Sequence, residues 1–196
     1  MAADVVFVLA PHTDDGELGC GATIAKLIEK GKVVYYVAFS TCEESVPQGL
    51  PKDILTSEVR KATGTLGVGR NNLIIKDVPV RNFPRYRQEI LEDLVELRNE
   101  LNPSLVFTPS SFDVHQDHHT MHHESKRAFK SASILGYELP WNNYSFGSTV
   151  FNVVNEEHLE LKTAAIDKYE SQQHREYVDK TILRANAKLR GLQISE

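Results

Sequence analysis

The sequence predicts an α/β protein with a Rossmann-like, three-layer fold, a mostly parallel sheet and an active site at the carboxyl ends of the strands. Short apolar runs, typical of strands covered on both faces, alternate with longer segments whose apolar residues recur at helical spacing. This alternation favours parallel strands joined by right-handed helical crossovers. Because no linker, repeat or low-complexity stretch divides the 196 residues, we expect one domain over 1–196, with a helical tail at 155–196 packed on or beside it.

The first half of the chain is predicted to hold three strands and three helices. Residues 4–10 form a nearly continuous apolar run, and residues 17–30 have helical spacing up to Gly31, a residue typical of a helix C-terminus. Asp53 is a predicted N-cap. The other predicted elements are strands at 33–40 and 73–76, helices at 53–66 and 85–101, and loops at 41–52 and 77–84.

The second half continues the alternation and then becomes helical. Its predicted elements are a strand at 105–108, a loop at 109–117, a helix at 119–135, an irregular aromatic segment at 137–147, a strand at 149–154 and helix from 156 to 192. In parallel α/β sheets, ligands bind beyond the carboxyl ends of the strands. The loops that follow the strands are therefore the expected site, and histidines and carboxylates concentrate in them.

Composition excludes several classes of protein. With 41% hydrophobic and 25% charged residues, the chain is an ordinary globular sequence rather than a disordered or fibrous one. Lys and Arg number 22 and Asp and Glu 27, a net charge of 22 − 27 = −5, which argues against a nucleic-acid partner. Two cysteines, Cys20 and Cys42, cannot form a disulfide framework, and no run is long enough for a signal peptide or membrane segment. We therefore expect a cytoplasmic protein with free thiols.

The first polar cluster follows the first predicted strand directly. His12 and Asp15 carry an imidazole nitrogen and a carboxylate oxygen that can ligate one ion, which leaves Asp14 free to handle a proton. The following helix points its positive end at the same place. The alternative is structural: a histidine in a turn, with an aspartate as helix N-cap.

The glycines that open this helix do not form a dinucleotide-binding fingerprint. A G-x-G-x-x-G motif starting at Gly19 needs glycine or alanine where Ile24 stands, and one starting at Gly16 needs glycine where Leu18 stands. A nucleotide-binding oxidoreductase is therefore disfavoured. Close packing of the helix against the sheet explains the glycines better.

The second polar cluster follows the fourth predicted strand. His118 can complete a set of two histidines and one carboxylate with His12 and Asp15, which leaves a position open for water, as catalytic zinc requires. Asp117 is available to orient an imidazole, and His115 can stabilise developing negative charge as a cation near the metal. Five of the eight histidines lie between His115 and His123, and for His119, His122 and His123 a solvated helix face is the favoured interpretation.

Together the two clusters resemble the LmbE-like, or PIG-L, family of zinc-dependent N-deacetylases. The family's first motif, Ala-His-Pro-Asp-Asp with a following acidic residue, is matched by residues 10–17, although Thr13 replaces the usual proline. The second motif, His-x-Asp-His, is matched by residues 115–118, and Asp113 fits the family's preceding aspartate. The order and the loop placement of both motifs support the resemblance.

The resemblance implies a zinc-dependent hydrolase that removes acetyl from an N-acetylated amino sugar of the N-acetylglucosamine type. It implies a metal, Zn²⁺ or another divalent ion such as Fe²⁺, held by His12, Asp15 and His118. Asp14 would be the general base, His115 would stabilise the oxyanion or protonate the leaving amine, and Asp117 would orient a histidine. The alternative is a sugar-binding or regulatory protein of the same fold without catalysis.

Substrate contacts are less constrained by the sequence. Arg81 and Arg85 either contact sugar hydroxyls or a phosphate, or are solvated arginines beside a turn. Trp141 either stacks on a sugar or packs within an aromatic loop, and Asp113 is a further candidate for substrate binding. The expected partner is a small acetylated amino sugar or glycoside, and the sequence leaves a homo-oligomer open.

Overall fold

Five parallel strands form the central sheet of the computed structural model, which describes residues 4–195. They are β1 (Val5–Ala10), β2 (Val33–Ala38), β3 (Leu73–Ile75), β4 (Leu105–Pro109) and β5 (Ser133–Tyr137). Their order across the sheet is β3-β2-β1-β4-β5, and every neighbouring pair is parallel. The strand order therefore reverses between β1 and β4, and the predicted Rossmann-like α/β architecture is confirmed.

Helices cover both faces of the sheet. The α-helices are α1 (Asp15–Glu29), α2 (Ile54–Thr65), α3 (Arg87–Leu101), α4 (Gln116–Ala128), α5 (Glu156–Ile166) and α6 (Lys180–Leu192). Short 3₁₀ turns lie at Glu43–Ser45, Arg70–Asn72, Glu170–Gln172 and Glu176–Val178. Within residues 4–195, none of these helices has the length and apolarity needed to cross a bilayer.

The alternation of side chains along β1 explains why its sequence is apolar throughout. Val6 and Val8 enter the core layer under α1, α2 and α5, whereas Phe7 and Leu9 enter the layer under α3 and α4. Successive side chains of a strand point to opposite faces, so a strand covered on both faces needs apolar residues at every position. These two core layers fix the positions of β1 and β4, and therefore of the loops that follow them.

Two elements predicted in the second half of the chain are wrong. The helix predicted at 119–135 ends at Ala128, and residues 133–137 form β5, which extends the sheet by pairing with β4. The strand predicted at 149–154 is absent: this segment runs along α1, where Asn152 and Thr23 are hydrogen bonded at 3.0 Å. Short apolar runs fit either a helix or a strand, and tertiary pairing decides between them.

Two smaller predictions about helix ends have different outcomes. Gly31 follows α1 with a φ of +73°, as expected for the glycine after a helix C-terminus. Asp53 occupies the N-cap position of α2, but its side chain makes no capping hydrogen bond. The position of this helix start was therefore predicted, whereas its capping chemistry was not.

Two glycines of α1, Gly16 and Gly19, allow the helix to approach the sheet closely, as predicted. The third, Gly21, instead faces Lys162 of α5. A Cβ atom added at Gly16 would lie 2.4 Å from the ring of Tyr36, and one added at Gly19 would lie 2.4 Å from the ring of Tyr137. Both rings are buried, so neither can move aside. Helix α1, which follows the first polar cluster, therefore packs directly against the strands.

Replacing Gly19 with alanine is expected to destabilise the protein by roughly 1–3 kcal/mol, because the added methyl group overpacks a filled site. Chemical denaturation measures the change. Gly64→Ala is the matched control: this glycine lies within α2 with no neighbour within 4 Å of an added Cβ, so the same substitution is expected to stabilise by about 0.5–1 kcal/mol. Equal effects at both positions would contradict the packing explanation.

Candidate active site

Three potential metal ligands converge at the carboxyl edge of the sheet, where the strand order reverses between β1 and β4. His12 and Asp15 follow β1, and His118 lies in the first turn of α4, after β4. His12 Nδ1, Asp15 Oδ2 and His118 Nε2 form a triangle with all three sides 3.1 Å long. Residues more than 100 positions apart therefore meet at the crevice in which such sheets bind ligands.

Both imidazoles in this triangle are oriented by carboxylates behind them. His12 Nε2 lies 3.0 Å from Asp117 Oδ2, and His118 Nδ1 lies 2.8 Å from Asp113 Oδ2. An ionised carboxylate only accepts hydrogen bonds, so these outer nitrogens carry the protons. When the rings are neutral, as metal binding requires, the inner nitrogens carry the lone pairs, which then face one another and Asp15. Carboxylate–histidine pairs of this kind are usual behind metal-ligating histidines.

The triangle fits a divalent metal ion. Zinc takes nitrogen and oxygen ligands at about 2.0–2.2 Å, so ligand atoms in a tetrahedral site lie about 3.3 Å apart, close to the spacing seen here. Two histidines and one carboxylate with open positions also suit Fe²⁺. His12, His115 and His118 have ring nitrogens within 4.8 Å of one another, a looser set than the one containing Asp15.

The electrostatics of the cluster favour a positive charge at this place. Burial opposes the charging of His118, but Asp15 and Asp113 outweigh that effect and raise its pKa to about 10. Burial acts in the same way on His12, yet Asp15 and Asp117 raise its pKa to about 9. The carboxylates around the imidazoles therefore attract a cation into the triangle.

Asp14 lies next to the triangle and is not part of it. It is half-buried, lines the adjoining cavity and occupies the N-cap position of α1 without a side-chain capping hydrogen bond. The structural interpretation of Asp14 as a capping side chain is thus not supported. Burial, followed by the charge of Asp15, raises the pKa of Asp14 to about 6. A carboxyl group in this range is suited to general-base chemistry near neutral pH.

His115 lines the same cavity, but its hydrogen bonding differs from that of a cation. Its Nδ1 accepts a hydrogen bond from the backbone N–H of Asp117 at 3.2 Å, which caps the start of α4. The proton is therefore on Nε2, in a neutral ring. The predicted cationic form of His115 would lose this hydrogen bond, so its chemistry is that of a neutral N–H donor.

Arg81 is held at the cavity rim in a strained conformation. Its φ of +66° lies in the left-handed region, which is uncommon for residues other than glycine, asparagine and aspartate. Its backbone N–H donates to Asp117 Oδ2 at 2.6 Å, and its carbonyl accepts from Gln116. The guanidinium then reaches Ser45 Oγ at 3.0 Å. Asp117 thus connects the rim to His12 of the triangle.

A cavity of about 370 Å³ opens over the triangle of His12, Asp15 and His118. The ring of Trp141 stacks on that of Tyr177 in its wall, with centroids 4.4 Å apart and planes 14° from parallel. Of the predicted substrate contacts, Arg81 and Trp141 line the cavity. Arg85 is exposed outside the wall, and Asp113 is buried behind His118.

Comparison with known proteins agrees with this geometry. Residues 7–129, which include both polar clusters, match the family PIG-L, GlcNAc-PI de-N-acetylase. The chain belongs to the PIG-L family. A relative, the uncharacterized deacetylase YaiS of Escherichia coli strain K12, is 31% identical over 170 residues, which are 85% of this chain and 90% of YaiS.

Solved structures share the PIG-L fold over nearly the whole chain. The zinc-inhibited form of teicoplanin deacetylase Orf2 superposes with a TM-score of 0.79 at 17% identity, covering 96% of this chain and 94% of Orf2. N,N'-diacetylchitobiose deacetylase from Pyrococcus horikoshii superposes with a TM-score of 0.76 at 24% identity, covering 98% and 80%. These likenesses establish the fold.

A buried network beneath the PIG-L motif loop was not predicted from the sequence. The carboxyl group of Glu17 contacts the hydroxyls of Tyr36 and Tyr169, and both hydroxyls also reach the carbonyl of Thr13, at 2.8 and 2.7 Å. Burial raises the pKa of Glu17 to about 8. Because Tyr169 follows α5, this network ties the C-terminal part of the chain to the loop that carries His12 and Asp15.

The remaining histidines of α4 are only partly a solvated face. His119 and His123 are exposed, in agreement with the prediction. His122 is buried and its Nδ1 lies 2.9 Å from the carbonyl of Pro109, so that imidazole supports the end of β4.

Proposed function

We propose that this protein is a metal-dependent N-deacetylase that hydrolyses the acetamide of an N-acetylated amino sugar. The observation that carries the proposal is the triangle of His12, Asp15 and His118, whose three lone-pair atoms converge with 3.1 Å spacing beside Asp14. Membership of the PIG-L family and the deacetylase name of YaiS support the reaction. The chitobiose and teicoplanin deacetylases, which share the fold, favour a sugar-containing substrate.

His12, Asp15 and His118 would hold the metal, with Zn²⁺ and Fe²⁺ both compatible with the donor set. A bound Zn²⁺ supplies positive charge and lowers the pKa of a coordinated water to about 7. Asp113 and Asp117 keep the two imidazoles in the tautomers that direct lone pairs to the ion. The rigid seat of α1 on the sheet maintains the spacing of the cluster.

Asp14 would move the protons of the reaction, and His115 would stabilise the negative charge that develops. Asp14 removes a proton from the attacking water as the new C–O bond forms at the acetyl carbon. His115 donates a hydrogen bond from Nε2 to the developing oxyanion, a contribution of about 3–4 kcal/mol for one donor. When the C–N bond breaks, the proton held by Asp14 passes to the amine, so that one amide and one water yield acetate and an amino sugar.

The cavity wall supplies a surface suited to a sugar. The stacked pair of Trp141 and Tyr177 offers an aromatic face for the C–H groups of a pyranose, and Gln172 and Asn142 add amide groups for its hydroxyls. These residues would hold the ring so that its acetamide reaches the metal.

An acetate-release assay tests this proposal. Metal-loaded protein is incubated with N-acetylglucosamine, its glycosides, its phosphates and N,N'-diacetylchitobiose, with and without a chelator. We expect acetate from at least one of these substrates, loss of the activity with chelator and its return when Zn²⁺ or Fe²⁺ is added. Sugar binding without acetate release in any metal-loaded form would instead support the non-catalytic alternative.

A further inference from the structure

We propose that the substrate carries an anionic group, a phosphate or a carboxylate, which Arg81 and Arg175 bind together at the rim of the cavity. The inference rests on the proposed function, and it specifies the class of amino sugar that the site accepts. It depends on the charges that line the cavity and on how they are held.

The two arginines are the positively charged guanidinium groups of the cavity wall. Arg81 comes from the segment after β3, and Arg175 comes from the C-terminal segment between two 3₁₀ turns. Neither forms an ion pair with a carboxylate of the described residues 4–195, whereas Arg87, Arg127 and Arg190 all do. Of the carboxylates lining the same cavity, Asp15 belongs to the triangle and Asp14 is the proposed base. The guanidinium groups at the rim are therefore available to a ligand.

The backbone of Arg81 is fixed at the cavity rim, although its side chain is exposed. A non-glycine residue in the left-handed region is strained and persists only where its surroundings enforce it. Asp117 and Gln116 fix its backbone, and Ser45 holds its guanidinium. Strain that is maintained beside an active site is often part of substrate binding.

The chemistry of guanidinium groups indicates the ligand. Arginine presents planar N–H donors that match phosphate and carboxylate oxygens in pairs, and it stays charged at any physiological pH. A neutral sugar hydroxyl would not need two such groups in a chain whose net charge is −5. An amino sugar bearing phosphate or carboxylate satisfies both arginines while its acetamide lies at the metal.

Trp141, which is the single tryptophan of the chain, permits a direct test. It lies in the cavity wall on Tyr177, so its fluorescence reports ligand binding without requiring turnover. Metal-loaded protein is mixed with N-acetylglucosamine, its 1-phosphate, its 6-phosphate or N-acetylmuramic acid, and the dissociation constant is measured before turnover. The two sugar phosphates test for a phosphate ligand, and N-acetylmuramic acid tests for a carboxylate ligand. kcat/KM for acetate release is measured with the same ligands.

We expect at least one anionic sugar to bind ten times more tightly than N-acetylglucosamine, with a preference that weakens as salt is added. Arg81→Gln and Arg175→Gln should each reduce the preference at least fivefold, and Arg85→Gln, at an exposed arginine outside the wall, should leave it unchanged. Bound metal should be unaffected in all three variants.

Several results would overturn the inference. The first is equal affinity for neutral and anionic sugars. The second is a preference for anionic sugars that survives in both arginine variants, because the metal alone would then bind the anion. The third is that no ligand binds or is turned over at millimolar concentration. Acetate release without preference for charge would overturn this inference and leave the deacetylase proposal standing. Charge-dependent binding without acetate release from any substrate would overturn the deacetylase proposal and leave the binding of the anionic group by the two arginines standing.

Discussion

Replacing Asp14 with asparagine is expected to leave the metal bound and to reduce acetate release by a factor of about 10²–10⁴, the usual contribution of a general base. Asparagine keeps the size of the side chain but cannot take a proton from water. Asp14 is outside the triangle of His12, Asp15 and His118, so the ligand atoms are unchanged. Acetate release and metal content, measured on the same preparation, check both halves of the expectation.

Asp53→Asn is the matched control for this substitution. Asp53 also stands at the start of a helix, is exposed and makes no capping hydrogen bond, so the same chemical change there should leave activity and metal content unaltered. Activity of Asp14→Asn within twofold of the parent would exclude Asp14 as the base. Loss of the metal from that variant would instead identify Asp14 as a ligand.

The meeting of the two clusters could be predicted from the sequence because it depends on local rules. Each cluster directly follows a buried strand, and parallel strands place their carboxyl ends on the same edge. His12 and His118 approach to 3.1 Å because β1 and β4 are neighbours at the point where the strand order reverses. The shared edge could be predicted without the strand order, whereas the contact between the two clusters depends on that order.

The edge of the sheet and the aromatic wall could not be predicted in the same way. Residues 133–137 are a strand because β4 is available to pair with them, and their sequence continues the apolar spacing of the preceding helix. Tyr177 and Arg175 reach the cavity through 3₁₀ turns of the C-terminal segment, which have no periodic signal in the sequence. Their positions follow from long-range packing.

The position of Asp113 shows a third limit of sequence reasoning. Asp113 matches the aspartate that precedes the family's second motif, and it was predicted as a candidate for substrate binding. The structure instead places its carboxylate 2.8 Å from His118 Nδ1, with the side chain buried. The sequence pattern shows that the Asp113 carboxylate lies near a histidine of the second cluster. Which nitrogen of the His118 ring it contacts depends on the turn between Ser110 and His115.

Substitution of His118 by alanine is expected to abolish stoichiometric metal binding, whereas His115→Ala should retain one equivalent and lose much of the activity. The reason is that His118 directs a lone pair into the triangle, while the Nδ1 of His115 is occupied by the N–H of Asp117. Asp117→Asn should weaken metal binding by about 10–100-fold, as for other residues that orient a ligand. Elemental analysis after dialysis, together with unfolding curves that show each variant is folded, measures these differences. Metal lost from both His118→Ala and His115→Ala would show that the looser set of three histidines holds the ion. Metal retained in His118→Ala would exclude His118 as a ligand and contradict both sets.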